Sequence, residues 1–183
     1  SYDVITGGAD RSKLPEATEF PKAKFIDFEQ TTLSNGLKLT VAHQPSVPVV
    51  NFNLLLDAGF AADQFSEPGT SSLAMAMLDE GTTKLSALEI SDTAANIGAI
   101  IGASAGIDSS TVSLSALKEN IDNLLKLYAD IILNPSFPNN ELERLRKQRL
   151  AQIQQEKNQP FGIALRILPR LLYGEDHAYS LPL

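Results

Sequence analysis

The sequence predicts an α+β fold in which an antiparallel or mixed sheet is covered by helices on one face. Strand-like and helical runs come in separate groups: three strands, two helices, two strands and three helices. Such grouping is typical of α+β domains, whereas regular alternation indicates a parallel α/β sheet. A hydrophobic content of 43% over 183 residues is also sufficient for a packed core.

The three N-terminal strands are predicted from apolar runs that turn residues separate. Residues 25–33 and 37–43 flank Asn35-Gly36, and Asn-Gly between two strand-like runs is the strongest short signal for a hairpin. A third run, "VVNFNLLLDAGF", is more apolar, as expected for a strand in the interior of a sheet.

The next segment, "GTSSLAMAMLDEGT" at residues 69–82, is predicted to be a short helix that is apolar all round. A helix without a polar stripe is normally buried on every side, so we expect it at the centre of the domain. Ser86, followed by Glu89, predicts a capping box for a second helix, which ends at Gly98.

Two strands and three helices are predicted in the rest of the chain. Residues 99–107 and 109–117 are predicted to be strands that join near Gly106. Apolar residues at helical spacing predict a helix that stops before Pro135. A long helix capped by Asn139 or Asn140 follows, and "FGIALRILPRLLYG" predicts the last one.

Composition excludes several functional classes. Fifteen basic and 22 acidic residues give a net charge of −7, so nucleic acid phosphates and anionic lipid headgroups would repel the chain. Cysteine is absent, which excludes disulfides and thiolate metal sites. No run approaches the roughly 20 apolar residues that span a bilayer, and the start of the chain lacks the basic and apolar regions of a signal peptide. Residues 1–24 are predicted to be an extended linker, and residues 25–183 an α+β domain from a longer chain.

Individual polar residues do not indicate a catalytic centre. His43 and His177 lie 134 positions apart, whereas zinc sites usually draw two ligands from one short element, so both are interpreted as surface or packing residues. Ser71 and Ser72 stand at the predicted start of a helix, where serine is chiefly a capping residue and only rarely a nucleophile. The adjacent carboxylates Asp79-Glu80 are interpreted as solvated turn residues.

Several short motifs occur in a defined order. Leu-x-Asn-Gly-Leu spans residues 33–37, Ala58-Gly59 ends the third strand, and Leu-x-x-Gly-Thr spans residues 78–82. In these motifs the chain resembles the pitrilysin/insulinase-type zinc metallopeptidases, which include mitochondrial processing peptidase and many bacterial zinc proteases. The resemblance runs from about Phe25 to Pro182 and is to the first unit of a degenerate, non-catalytic half.

The positions that hold zinc in that family carry other residues here. A family member has a His-x-x-Glu-His helix, and alignment on the Gly-Thr pair places its two histidines on Ser72 and Ala76 and its catalytic glutamate on Met75. The third ligand, a later glutamate, falls on Gln152, 76 positions after Ala76. Methionine and alanine are poor ligands for Zn²⁺, and glutamine carries no charge to offset the metal. The resemblance therefore implies a lost zinc site, with no catalytic residue and no cofactor.

The resemblance also implies a function. We expect a non-catalytic, metallopeptidase-like domain that forms part of a peptidase chamber and supports a zinc-bearing half or subunit of the same family. The alternative is a purely structural or protein-interaction module that keeps the fold without any proteolytic role. A third hypothesis, an active hydrolase, lacks a convergent set of histidines or carboxylates. Family habit favours a periplasmic location.

One strand is a candidate for peptide binding. In the family, the segment that matches residues 99–106 is an edge strand to which substrate peptides add by main-chain pairing. Gly102, Ala103, Ser104 and Ala105 are therefore the candidate peptide-binding residues. Their small side chains leave the backbone approachable, although small residues in a strand also let a helix pack closely.

Overall fold

The computed structural model describes Phe20, Lys22 and residues 25–180. The chain divides into two compact units, Ser1–Val47 and Pro48–Leu183, and each is described by itself. The linker predicted at residues 1–24 lies outside the described residues except for Phe20 and Lys22, so the predicted boundary at residue 25 stays a prediction.

The first unit contains the predicted hairpin. Strands β1 (Phe28–Thr32) and β2 (Lys38–Ala42) pair in antiparallel fashion. Between them, the Asn35 side chain accepts a hydrogen bond from the Leu37 N–H at 3.1 Å, which stabilises the turn. The hairpin predicted from Asn-Gly is therefore confirmed.

The second unit contains a three-stranded antiparallel sheet. Strand β5 (Ser110–Leu117) is central, with β3 (Val49–Leu56) on one side and β4 (Ile100–Ala105) on the other. Val112 of β5 lies opposite Leu54 of β3 on one side and opposite Ala103 of β4 on the other. The turn predicted near Gly106 joins β4 directly to β5.

Five α-helices complete the predicted order of elements, which is confirmed. They are α1 (Thr70–Ala76), α2 (Ala87–Asn96), α3 (Ile121–Leu133), α4 (Asn139–Glu156) and α5 (Pro160–Tyr173). The Ser86–Glu89 capping box of α2 is present. The cap predicted for α4 is wrong: Pro138 occupies the N-cap without a side-chain hydrogen bond, so Asn139 and Asn140 lie in the first turn. Among the described residues, no helix has both the length and the apolar character to cross a membrane.

The core lies on one face of the three-stranded sheet. Alternate residues of β5, among them Val112 and Leu114, are buried against Met75 of α1 and against Leu124 and Tyr128 of α3. The prediction of helices on one face of an antiparallel sheet is thus confirmed. A second cluster joins α2 to α3 through the buried residues Ile90, Leu127 and Ile131.

Tyr128 fastens α3 to the sheet. Its hydroxyl accepts a hydrogen bond from the Leu54 N–H at 3.2 Å and donates one to the Val112 carbonyl at 2.5 Å. These two residues face each other across β3 and β5. Burial raises the pKa of the Tyr128 hydroxyl above its ordinary value.

Candidate functional site

Helix α1 is buried on one side only. Met75 is 8% exposed and belongs to the core cluster, whereas Ala74 and Ala76 on the same helix are exposed. The prediction of a helix buried on every side is therefore wrong for this chain. The reason is geometric: a seven-residue helix that rests on a sheet through one face leaves its other face uncovered.

The N-terminus of α1 is capped from outside the helix. Asp63, in the preceding 3₁₀ turn Phe60–Phe65, is almost fully buried. Its carboxylate accepts hydrogen bonds from the N–H groups of Gly69 and Ser71 at 3.0 and 3.1 Å, and from the Ser71 hydroxyl at 2.6 Å. It thus satisfies amide groups that have no partner within the helix. The predicted capping by Ser71 and Ser72 is wrong, and no local sequence pattern identifies a cap six residues before the N-cap.

The Ala58-Gly59 motif permits a close contact between backbones. A Cβ on Gly59 would lie 2.2 Å from the Ile107 carbonyl oxygen, so only glycine fits. Immediately afterwards, the Phe60 N–H donates to the Gly106 carbonyl at 2.9 Å. This motif therefore fixes the end of β3 against the turn between β4 and β5.

The Gly81-Thr82 motif fixes the chain that leaves α1. Gly81 has φ +153°, and a Cβ there would lie 3.0 Å from Cγ of Pro138. The buried Thr82 hydroxyl oxygen accepts hydrogen bonds from the N–H groups of Lys84 and Leu85 at 3.1 and 3.0 Å. Gly81 and Thr82 thus each have a structural role that is independent of catalysis.

The four positions that the sequence resemblance predicts to match the family's zinc site lie on two helices. Ser72 is half-buried and Ala76 exposed on α1, with Met75 in the core between them. Gln152 is exposed on α4, and its side chain is hydrogen-bonded to Glu156. A hydroxyl, a thioether, a methyl and an amide contain neither imidazole nor carboxylate, so this donor set does not fit Zn²⁺.

Other potential metal ligands are scattered. Within residues 25–180, no three or more His, Cys, Asp or Glu side chains come together in a way that could hold a metal ion. His177 packs against Tyr173 and Tyr179, with ring centroids 5.2 and 5.1 Å apart, and its Nδ1 accepts a hydrogen bond from the Tyr179 N–H. His177 is therefore a packing residue here. The predicted absence of a cofactor stays a prediction.

The backbone of β4 alternates between two directions. The Gly106 N–H donates to the Ser109 carbonyl at 2.7 Å, which makes this a hydrogen-bonded pair of the β4–β5 ladder. Such pairs alternate along an antiparallel ladder, so the backbone groups of Gly102 and Ser104 face β5. Those of Ile101, Ala103 and Ala105 face the opposite way, towards the edge of the sheet.

That edge is open in the part of the chain that the structure describes. No strand pairs with the outer side of β4, and the outward groups of Ile101, Ala103 and Ala105 make no hydrogen bond outside the sheet. Ala99, two positions earlier, also faces outward and donates its N–H to the Ala94 carbonyl of α2 at 2.8 Å. The outer edge thus begins to be available at Ile101. Whether peptides bind there stays a prediction.

A groove of about 460 Å³ lies beside the start of β4. One wall is α2, with small side chains such as Ala94 and Ala95, and another is the segment 99–101; Asp79 and Glu80 also line it. We call it the α2–β4 groove. Asp79 and Glu80 lie in a turn and a bend, in agreement with their interpretation as turn residues, but both are half-buried and not fully solvated. Burial raises the pKa of the Asp79 carboxyl; its own N–H and Arg144 offset part of this effect, and Glu80 adds to it.

The comparison with protein families identifies this architecture. The model of the family described as Insulinase (Peptidase family M16) matches residues 38–179. The chain belongs to peptidase family M16. Its predicted resemblance to the insulinase-type peptidases is confirmed.

Curated M16 relatives are considerably longer than this chain. It is 28% identical over 169 residues to the alpha subunit of mitochondrial-processing peptidase from Solanum tuberosum, covering 92% of this chain and 32% of that protein. It is 29% identical over 134 residues to an uncharacterized zinc protease of Rickettsia felis, covering 73% of this chain and 32% of the relative. The chain therefore spans about a third of the length of these relatives.

Solved structures show the same M16 fold. The crystal structure of a peptidase M16 inactive domain from Pseudomonas fluorescens superposes with a TM-score of 0.81 at 28% identity, covering 85% of this chain and 38% of that one. A protease from Helicobacter pylori shares the fold with a TM-score of 0.73 at 20% identity, covering 86% and 38%.

Proposed function

We propose that this chain is a non-catalytic M16 domain that forms part of a peptidase chamber and supports a zinc-bearing half or subunit of the same family. The observation that carries the proposal is the contrast within α1. The motifs on both sides of the helix keep the contacts of the fold, whereas Ser72, Met75 and Ala76 offer no donor set for zinc. The similarity to an inactive M16 domain of Pseudomonas fluorescens supports the same conclusion.

A partner of the same family is part of the proposal. Relatives of this chain are named as alpha and beta subunits of mitochondrial-processing peptidase, which supports pairing between M16 chains. The second unit also exposes large apolar side chains on α5, and contiguous exposed apolar surface commonly marks an interaction site. These residues are Phe161, Leu165, Leu168, Leu171 and Leu172.

The contribution to peptide binding is assigned to the outer edge of β4. An extended peptide can add to an exposed strand edge through main-chain hydrogen bonds. The outward backbone groups of Ile101, Ala103 and Ala105 offer three successive pairing positions. Among the four candidate residues 102–105, the pairing positions are therefore Ala103 and Ala105, while Gly102 and Ser104 hold the strand to β5.

Metal analysis tests the non-catalytic part of the proposal. We expect protein purified without chelator to contain no stoichiometric zinc. As a matched pair, Gln152→Ala and Gln154→Ala change two exposed glutamines of α4, and neither is expected to alter the metal content. One zinc per chain that disappears in Gln152→Ala but persists in Gln154→Ala would show that the site is functional and that the proposal is wrong.

A reconstitution assay separates the two functional hypotheses. The proposed zinc-bearing M16 partner is either a half of the same polypeptide or a separate subunit. Its cleavage of unstructured peptides is assayed with and without the present domain. We expect cleavage to require the domain. Equal cleavage in its absence would favour the structural or interaction module instead. A periplasmic location is part of the proposal, and cell fractionation tests it.

A further inference from the structure

The α2–β4 groove contains a carboxylate that has no ion pair in the described part of the chain. Among the described residues, no ion pair or side-chain hydrogen bond engages the half-buried Asp79 carboxylate. Its neighbour Glu80 differs, because Arg144 pairs with it at 2.5 Å and with Glu141 at 2.6 Å. Arg144 is thus paired with two other carboxylates, and it offsets the negative charge of Asp79 only in part.

The groove and the outer edge of β4 share a wall. Residues 99–101 line the groove, and Ile101 is also the first residue whose outward backbone groups are available for pairing. A peptide strand that extends along β4 to Ile101 therefore arrives at the groove. Apart from the buried Ile90, the α2 side of the groove consists of small residues, including Ala87, Ser91 and Ala94, which leave room for a long side chain.

We propose that the α2–β4 groove is a subsite for a cationic side chain, lysine or arginine, of a peptide that pairs with β4, and that Asp79 is its counter-charge. The inference rests on the proposed peptide-binding role of β4 and adds the chemical class of the ligand. The peptide is identified by an extended backbone together with one basic residue near the end that reaches Ile101.

Electrostatics select a cation over the other classes of side chain. An acidic side chain would be repelled by Asp79, and an apolar one would remove water from the carboxylate without replacing its hydrogen bonds. A cation restores both the charge and the hydrogen bonds. The raised pKa of Asp79 is in agreement, since burial is its largest cause and Arg144 and the Asp79 N–H offset burial only in part.

Two fluorescent peptides test the inference by anisotropy titration of the protein. Both are extended hexapeptides of alternating valine and alanine; one contains arginine next to its terminal residue and the other contains citrulline, its uncharged near-isostere. We expect the arginine peptide to bind about fivefold to tenfold more tightly, as for a partly shielded ion pair. Asp79→Asn should remove that preference, so that the arginine and citrulline peptides bind with similar affinity.

Two controls accompany this experiment. Asp92→Asn removes the same charge from an exposed position of α2 that does not line the groove, and it should keep the preference for arginine. A version of each peptide with N-methyl groups at alternate residues cannot donate hydrogen bonds to β4, and it should bind more weakly whichever side chain it carries.

The outcomes distinguish this inference from the proposed function. If N-methylation weakens both peptides but arginine and citrulline bind equally, β4 pairs with peptides and the cationic subsite is wrong. If the preference for arginine survives in Asp79→Asn, Asp79 is not its origin and the inference is overturned. If the wild-type protein binds neither peptide, the peptide-binding role of β4 fails and the subsite fails with it.

Discussion

The residues around α1 and the residues on α1 differ in how strongly the fold constrains them. Gly59, before the helix, is in a backbone contact that leaves no room for a Cβ, and Gly81, after it, has a φ of +153° that L side chains rarely adopt. Ser72, Ala76 and Gln152, at the positions aligned with zinc ligands, are half-buried or exposed. A site for chemistry that lies on such accessible positions can lose its residues while the fold persists.

Met75 is the exception on the helix itself. The sequence resemblance predicts that it aligns with the family's catalytic glutamate, yet it belongs to the core cluster with Val112 and Leu114. A glutamate at this depth would need compensation by a metal-bound water or another partner, whereas methionine supplies packing. The comparison therefore predicts that the loss of unfolding free energy on substitution depends on the contacts and burial of a residue, and not on whether it aligns with a catalytic residue.

The largest effect is expected for Gly59→Ala. Its new Cβ would lie 2.2 Å from the Ile107 carbonyl oxygen, which forces two backbone segments apart. We expect the free energy of unfolding to fall by about 3–5 kcal/mol. Gly102→Ala is the matched control, because its Cβ would meet only the rotatable Ser113 hydroxyl at 3.2 Å. Denaturant titrations that show equal losses for both variants would contradict the proposed steric constraint.

Some features of the fold could be predicted from local sequence patterns, and others could not. The order of strands and helices, the Asn35-Gly36 turn and the Ser86–Glu89 capping box follow from local patterns, and all are present. The Gly59 contact, in contrast, joins residues that lie 48 positions apart. The sequence motif identifies such a glycine, but only the folded chain shows what it approaches.

The candidate site, too, could be predicted from the sequence only in part. Its aligned positions and the edge strand came from the resemblance, whereas the direction of each backbone group on β4 depends on register, which a sequence does not define. The same holds for Asp63 and Asp79. Their burial arises because α1 and α2 pack beside them, and each residue taken alone resembles an ordinary solvated aspartate.

A smaller but still substantial loss is expected for Met75→Glu. The side chain is 8% exposed and contacts the core cluster, so a glutamate there must desolvate its carboxylate or become protonated. We expect a loss of about 2–4 kcal/mol in unfolding free energy at neutral pH. Ala76→Glu, one position further and exposed, should change it by less than about 0.5 kcal/mol. The comparison between α1 positions would be wrong if thermal melts placed the two variants at the same temperature.

The Gly-Thr motif provides a test of intermediate size. Thr82→Val keeps the shape of the side chain but removes the oxygen that accepts hydrogen bonds from Lys84 and Leu85. Because Thr82 is buried, we expect a loss of about 1–2 kcal/mol. Thr83→Val, at the exposed neighbouring position, is the control and should be nearly neutral. A Thr82→Val protein as stable as wild type in urea would show that the motif has no structural role.

The smallest effect on stability is expected for substitutions at the two α1 positions that the resemblance matches to the family's zinc-binding histidines. Ser72→His combined with Ala76→His places two imidazoles four residues apart on α1, at positions that are half-buried and exposed. We expect the unfolding free energy to change by less than about 1 kcal/mol, because neither substitution opens a core contact. The variant should nevertheless leave unstructured peptides uncleaved in the presence of zinc, since Met75 cannot act as the general base and Gln152 cannot supply a third anionic ligand. Thr70→His with Ala74→His has the same spacing at two other exposed positions of α1 and serves as the control. Hydrolysis by the first pair and not by the second would mean that the site had lost only its histidines, and that Met75 and Gln152 do not prevent its function.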